Sequence, residues 1–330
     1  MSAPTDLRSA QPPVSVVDGR RWFALHLAGP QPRREILVTR LWPLASQLLA
    51  EGLADRFFFI RYNEGGPHLR LRLRLPADAE PGIAVAGILE RAARAAARDT
   101  EGLVIAPQPF ELEIERYGGP SYFAASLDFF ALSSLGAIDF HQTFGQRSKN
   151  QQLPSVLARL LWQASGFAVS PEEFTSLLDY YASFSGRYAA VAARAEAVFD
   201  KNPAPLQALF EQSVGALLEI EPSTARDAYD DALALAAAVE DVDPARRHGL
   251  LASQMHMTAN RLGLRNPEET YATRLLSKIV AAQDLTSWWP RLDAARQRGL
   301  EARSGQDVDR ALHTRFQTRL NRLLEEEPCA

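Results

Sequence analysis

The chain is nearly without cysteine: among 330 residues only Cys329, next to the last, carries a thiol. An internal disulfide framework and a thiolate cluster for zinc or iron–sulfur are therefore excluded, and the cytoplasm is the expected setting. Net charge is nearly lacking too. The 36 basic and 40 acidic residues leave −4, so no global field draws the protein to nucleic acid or an anionic membrane, and any basic site must be local. No apolar run approaches the roughly eighteen residues that crossing a bilayer requires, so no membrane partner is expected. Residues Met1–Arg20 lack the apolar core of a secretory signal and read as a flexible arm. There is no repeat of fixed period, no Gly-rich phosphate loop after a strand, and no His/Cys/Asp/Glu group with metal-ligand spacing. What is present, 46% hydrophobic and 23% charged side chains, suffices for one large or two modest units with real cores.

Between Trp22 and Tyr117 the hydrophobic period switches in a specific order. Trp22–Ala28 reads as a strand. Pro32 opens a helix with apolar residues at Ile36, Leu37, Leu41, Leu44, Leu48 and Leu49, stopped at Gly52. Arg56–Tyr62 and His68–Leu75 form a hairpin about Glu64-Gly65-Gly66-Pro67. Pro81–Arg98 is helical, and the alternation in Phe110–Tyr117 predicts a fourth strand. The order β-α-β-β-α-β is that of a ferredoxin-like unit. Beyond Pro120 amphipathic stretches follow at 120–143, 151–165, 172–195, 204–219, 223–239, 245–262, 268–282 and 290–325, with breakers at Gly166, Asn202-Pro203, Glu221-Pro222, Asp243-Pro244, Asn266-Pro267 and Trp289-Pro290. The expected class is α+β: an arm (1–20), a ferredoxin-like region (21–119) and a larger helical region (120–330).

In His68-Leu69-Arg70-Leu71-Arg72-Leu73-Arg74-Leu75 a strand must put leucines on one face and His68, Arg70, Arg72 and Arg74 on the other. The leucines belong under the helices, the basic row on the open face. Glu111, Glu113 and Glu115 alternate in the expected fourth strand and would supply an acidic row beside Trp22, Ala24 and His26. Such rows fit either an ion-pair lattice or a floor for a polar substrate; planar guanidiniums suit carboxylates and peptide carbonyls. Farther on, Ser253, His256 and Asn260 share one helix face. A lone helical histidine is more often packed than catalytic, but this polar stripe among Leu250, Leu251, Met255 and Leu262 marks a candidate site. Trp288 and Trp289 fit helix packing or, if exposed, stacking on a substrate ring.

Phe57-Phe58-Phe59-Ile60-Arg61-Tyr62, Gly66-Pro67-His68-Leu69-Arg70-Leu71-Arg72, Glu113-Ile114-Glu115-Arg116-Tyr117-Gly118-Gly119-Pro120 and His256-Met257-Thr258-Ala259-Asn260-Arg261-Leu262 together resemble the C-terminal domain of class I lantibiotic dehydratases. The resemblance spans roughly 21–290. That family holds enzymes that eliminate glutamate from glutamylated Ser or Thr. It also holds stand-alone thiopeptide pyridine synthases, which join two dehydroalanines by a formal [4+2] aza-cycloaddition and then lose water and the leader. The resemblance implies a ribosomally made precursor peptide with a leader as partner, other pathway enzymes nearby, and no metal or organic cofactor. It makes Arg72 and Arg116 candidate holders of a glutamyl ester, Glu113 their acid–base neighbour, and His256 a proton-transfer residue. Tyr117 and Ser253 join His256, Glu113 and Arg116 as catalytic candidates, and His68, Arg70, Arg72, Arg74, Asn260 and Trp288 as binding candidates complete the set. Pyridine synthase is the leading expectation, with glutamate elimination or a non-catalytic leader-binding subunit as alternatives. The leader is expected on the β-rich half.

Overall fold

The computed structural model describes residues 14–17, 19–99, 102–110, 113–183, 188–218, 228–229, 231–233, 235–236, 242–301 and 308–325; Cys329 lies outside them. The fold is α+β, a small antiparallel sheet followed by a helical region, in two compact units, Met1–Leu112 and Glu113–Ala330.

In the first unit, β1 is Ser15–Val17 and β2 is Arg20–Ala28. Helix α1 runs Arg33–Ile36, passes a π-helical turn at Leu37–Leu41, and continues as Trp42–Ala50. Then come β3 (Arg56–Tyr62), β4 (His68–Arg74), α2 (Pro81–Ala97) and β5 (Val104–Pro107). The strand order is β1-β2-β4-β3, and β5 pairs with the Leu25–Ala28 end of β2. Leu69, Leu71 and Leu73 are fully buried, as are Phe23, Leu25 and Leu27 of β2 and Phe57 and Phe59 of β3 on the same face. That face meets the helices, whose buried residues include Leu41, Trp42, Leu48 and Ile88. Burial of each such side chain contributes about 1.5–3 kcal/mol. Between β3 and β4, Gly65 and Gly66 take φ of 74° and 105°, conformations open to glycine at little cost.

Two expectations need correction here. The end of the supposed arm is structured, because Ser15–Val17 pairs antiparallel with Arg20–Trp22 and Ser15 Oγ reaches the Phe110 carbonyl at 3.5 Å. The last strand is Val104–Pro107, not Phe110–Tyr117. Glu115–Tyr117 is a single 3₁₀ turn, ended by Gly118 (φ 90°) and Gly119 (φ 87°), which swing the chain into the next helix. Glu111 lies outside the described residues, and Glu113 and Glu115 are exposed in the turn region and are not part of a strand.

The second unit contains α3 (Pro120–Phe144), α4 (Lys149–Phe167), α5 (Pro171–Ser183), α6 (Ala189–Lys201), α7 (Pro203–Leu218), α8 (Pro244–Arg261), α9 (Asn266–Ala281), α10 (Leu285–Glu301) and α11 (Val308–Glu325). Prolines open α3, α5, α7 and α8, where their missing N–H costs nothing. The stretches expected as single helices at 172–195 and 290–325 are each described as two. Helix α10 runs through Pro290, which was expected to break it. The Glu221-Pro222 breaker lies outside the described residues. Helix α3 is, over Tyr122–Phe144, long and apolar enough to cross a membrane, contrary to the reading of apolar runs; 78% of that window is buried. Its Asp139 faces Arg159 of α4 at 3.5 Å, as a core helix requires of a buried charge.

Candidate functional site

Helix α8 has a different neighbour on each side. Gln254 Nε2 donates to Ser126 Oγ (2.9 Å) and Arg261 Nη1 to Ser133 Oγ (2.8 Å), both on α3. Arg247 Nη2 donates to the Phe167 carbonyl (3.1 Å), and Thr258 Oγ1 accepts from Gln163 Nε2 (3.0 Å), both on α4. Ser253, His256 and Asn260 form the stripe the helical period demands. Ser253 is buried and the other two are partly exposed.

The carboxylate of Glu269, on α9, lies against Nδ1 of His256 at 2.9 and 3.0 Å. Tyr181 of α5 donates its hydroxyl to Glu269 Oε1 at 2.8 Å. Burial, followed by the Glu269 charge, pushes the Tyr181 hydroxyl well above the ordinary phenol range, so it stays a donor. The carboxylate therefore accepts from both sides. It holds the His256 proton on Nδ1 and leaves Nε2 to exchange a proton with something else. Among the described residues Nε2 has no hydrogen bond, and 31% of the His256 side chain is exposed. Oriented this way, a histidine can act as general acid or base.

Sequence reading missed Glu269 and Tyr181. The signal for Glu269 was present: with Ala272, Thr273 and Leu276 it occupies the buried stripe of α9, where an uncompensated carboxylate is not expected.

The Glu113–Tyr117 segment presents a second cluster. Arg116 Nη1 meets Glu113 Oε2 at 3.3 Å, with 38% and 58% of their side chains exposed. Such a pair is worth only about 0–1 kcal/mol and leaves both groups open to a ligand. Tyr117 is buried against Phe130, ring centroids 5.0 Å apart. Burial pushes its hydroxyl up to about 12, with Arg116 opposing and Glu113 adding. Arg261 is wholly buried, its guanidinium 4.5 Å over Phe130, and burial lowers its pKa to about 9. A Cβ on Gly118 would come within 2.6 Å of Leu250 Cδ1, so the turn packs directly on α8. At about 100° per residue, Leu250 and His256 lie roughly 120° apart around that helix. The turn and His256 share a scaffold, but the described hydrogen bonds of His256 go to Glu269.

The sheet's basic face is occupied by its own neighbours. Arg74 makes a bidentate pair with Asp55 (2.6 and 3.0 Å). Arg72 is 2% exposed, its guanidinium 4.9 Å from the Phe110 ring. Phe110 also packs on Trp22 and Phe58, so this part of the face is covered, not open as expected. Arg70 lies 3.4 Å over the Tyr62 ring and donates through Nε to His68 Nε2 at 3.2 Å. His68 stacks on His26 at 4.8 Å. Burial, then Arg72, His68 and Arg70, lower the His26 pKa to about 3. Trp288 packs edge-on against Phe210 at 5.8 Å under Arg291, which favours the packing reading. Among the described residues no group of three or more His, Cys, Asp or Glu could hold a metal ion.

A small antiparallel sheet followed by a larger helical unit places the chain among α+β proteins. The sequence model described as "Lantibiotic biosynthesis dehydratase C-term" matches residues 22–280, and the chain belongs to that family. No curated protein matches it. Several solved structures share its fold. One is the tRNA-dependent lantibiotic dehydratase MibB from Microbispora sp. 107891, 21% identical with a TM-score of 0.57; the likeness covers 87% of this chain and 29% of that one. The second is TsrL, 18% identical with a TM-score of 0.59, over 85% and 98%. The third is TbtD, the pyridine synthase from thiomuracin biosynthesis, 18% identical with a TM-score of 0.54, over 79% and 98%. The chain thus spans less than a third of the dehydratase's length.

Proposed function

We propose that this protein modifies a ribosomally made precursor peptide, and that it is a thiopeptide pyridine synthase. Membership of the dehydratase C-terminal family and the shared fold of a pyridine synthase support the first statement. The observation that carries the second is the engagement of the sheet's guanidiniums. With Arg74 tied to Asp55, Arg72 buried beside Phe110 and Arg70 laid on Tyr62, the row is poorly placed to cradle a glutamyl carboxylate. Cycloaddition makes no such demand. It needs two dehydroalanines held in near-attack geometry, an amide shifted to its iminol tautomer, and protons delivered as water and leader depart. His256, oriented by Glu269 and Tyr181, supplies the proton-transfer group, and the partly exposed Asn260 on the same stripe supplies hydrogen bonds to peptide amides.

On this reading the first unit is a ferredoxin-like variant with an added N-terminal strand, and the reaction is cytoplasmic and needs no cofactor. The second reading, glutamate elimination, draws on the exposed Glu113–Arg116 pair, which could meet an incoming carboxylate. Mass spectrometry of two leader-bearing peptides separates them. One peptide carries two dehydroalanines at cycloaddition spacing, the other glutamylated serine. Release of the leader from the first is the expected result. Loss of glutamate from the second alone makes the protein an eliminase, and change in neither favours a leader-binding subunit.

A further inference from the structure

The helical unit also has a cleft of about 320 Å³ between α4, α6 and α9. That is the size of a small binding pocket and far larger than a packing defect. Its apolar walls are Leu153 and Val156 of α4, Val191 of α6 and Tyr271 of α9. Its charged groups are Lys149, Arg194 and Glu268. They are not equivalent. Glu268 is held by Arg265, whose backbone N–H (2.9 Å) and guanidinium (3.1 Å) both donate to it, so its charge is already answered. Lys149 sits 3.8 Å from the same carboxylate and donates to the Gly263 carbonyl at 3.1 Å. Arg194 is exposed and makes no ion pair among the described residues. In a protein of net charge −4, this mouth is locally positive over an apolar floor.

We propose that the cleft seats the leader of the precursor peptide, with an apolar side chain among Leu153, Val156 and Val191 and flanking acidic side chains facing Arg194 and Lys149. The proposal rests on the reading that the protein acts on a leader-bearing peptide, and it moves the leader from the β-rich half, where sequence alone put it, to the helical unit. Charge and shape choose the occupant. An amphipathic acidic peptide matches a groove with an apolar floor and a cationic rim, whereas a basic peptide is repelled and a wholly polar one leaves the floor unfilled. The position also suits the chemistry. Glu268 lines the cleft while the next residue, Glu269, holds His256, so α9 contributes a side chain to both sites. A leader anchored in the cleft keeps the attached core peptide near His256, which raises its effective concentration there.

The test is selection of a phage-displayed library of random short peptides on the full chain, followed by fluorescence anisotropy of the recovered sequences. Recovered peptides should combine acidic and apolar residues. Arg194→Glu and Val191→Trp should each weaken them by roughly tenfold or more, while Arg298→Glu, on an exposed face of α10, should not. Val191 is only partly buried, and the Arg194 change touches no core, so loss of binding in both is not a folding defect. Recovery of nothing, of basic peptides, or of binders indifferent to both substitutions overturns the proposal. Binding that depends on Arg194 and Val191, with no turnover of either reactive peptide by the parent chain, would leave the cleft standing while the catalytic reading falls.

Discussion

The sheet face around His26 and the helix pair around His256 both gather ionisable side chains about a histidine, and they do so with opposite sign. His26 has Arg70, Arg72 and His68 for neighbours, and together with burial they keep it neutral, its pKa down to about 3. His256 has a carboxylate on one ring nitrogen and solvent near the other. The first cannot carry a proton near neutral pH. The second is arranged so that it can pass one, because a proton held on Nδ1 by Glu269 leaves Nε2 available. Identical side chains thus take different roles from their surroundings, and chemistry is expected in the helical unit.

The harshest way to break this contrast is to remove the proton carrier. His256→Ala should lower peptide turnover by about 10²–10⁴-fold while leaving peptide affinity intact, whereas His26→Phe should change turnover little. Rates and binding for both variants, measured on the dehydroalanine peptide, decide it. A loss confined to His26→Phe would place the chemistry on the sheet, and equal losses would abolish the contrast. Glu269→Ala should cost nearly as much activity and also destabilise the fold by about 1–3 kcal/mol, because the fully buried Tyr181 hydroxyl loses its acceptor. Urea denaturation reads the second effect. Glu269→Gln should recover stability without recovering the full rate, since an amide can accept from Tyr181 but carries no charge toward the ring.

Gly118→Ala probes the scaffold that the two site clusters share. Its φ of 90° strains an alanine, and the new methyl meets Leu250 Cδ1, so a loss of about 1–3 kcal/mol is expected in thermal unfolding. The turn would loosen from α8, and activity should fall less than in Glu269→Ala if His256 is the main proton carrier.

The parts of this fold that were legible in sequence are those where one period dominates. The alternation of β4 fixed its two faces, and Pro120 with the breakers Asn202-Pro203 and Asp243-Pro244 fell at helix boundaries. The fourth strand was misplaced because Glu113-Ile114-Glu115 alternates as a strand would, while Gly118 and Gly119 demand a turn that periodicity does not register. Val104–Pro107, only four residues long, was too short to stand out. With that strand misplaced, the acidic row opposite the arginines was an artefact, and the true partner of Arg74 is Asp55, which directly precedes β3. At the site, His256 was readable and its partners were not. Glu269 and Tyr181 come from other helices, and their meeting depends on how α5, α8 and α9 pack, which no local pattern encodes.

The smallest effect in this series is also the most direct readout of the contrast. A histidine with a lowered folded pKa favours the deprotonated state, so it adds no acid-side stability of its own. The unfolded chain takes up a proton below about 6.5 while folded His26 does not until about 3. Stability therefore declines as pH falls from 6.5 toward 3, and His26→Phe should flatten that part of the profile. By NMR, the His26 ring resonances of the parent chain should stay fixed between about pH 8 and pH 5, where an unperturbed imidazole would titrate. A His26 that titrates in that range would mean that the ring is not buried beside Arg72 and Arg70, which would open the basic row to a carboxylate and return weight to glutamate elimination.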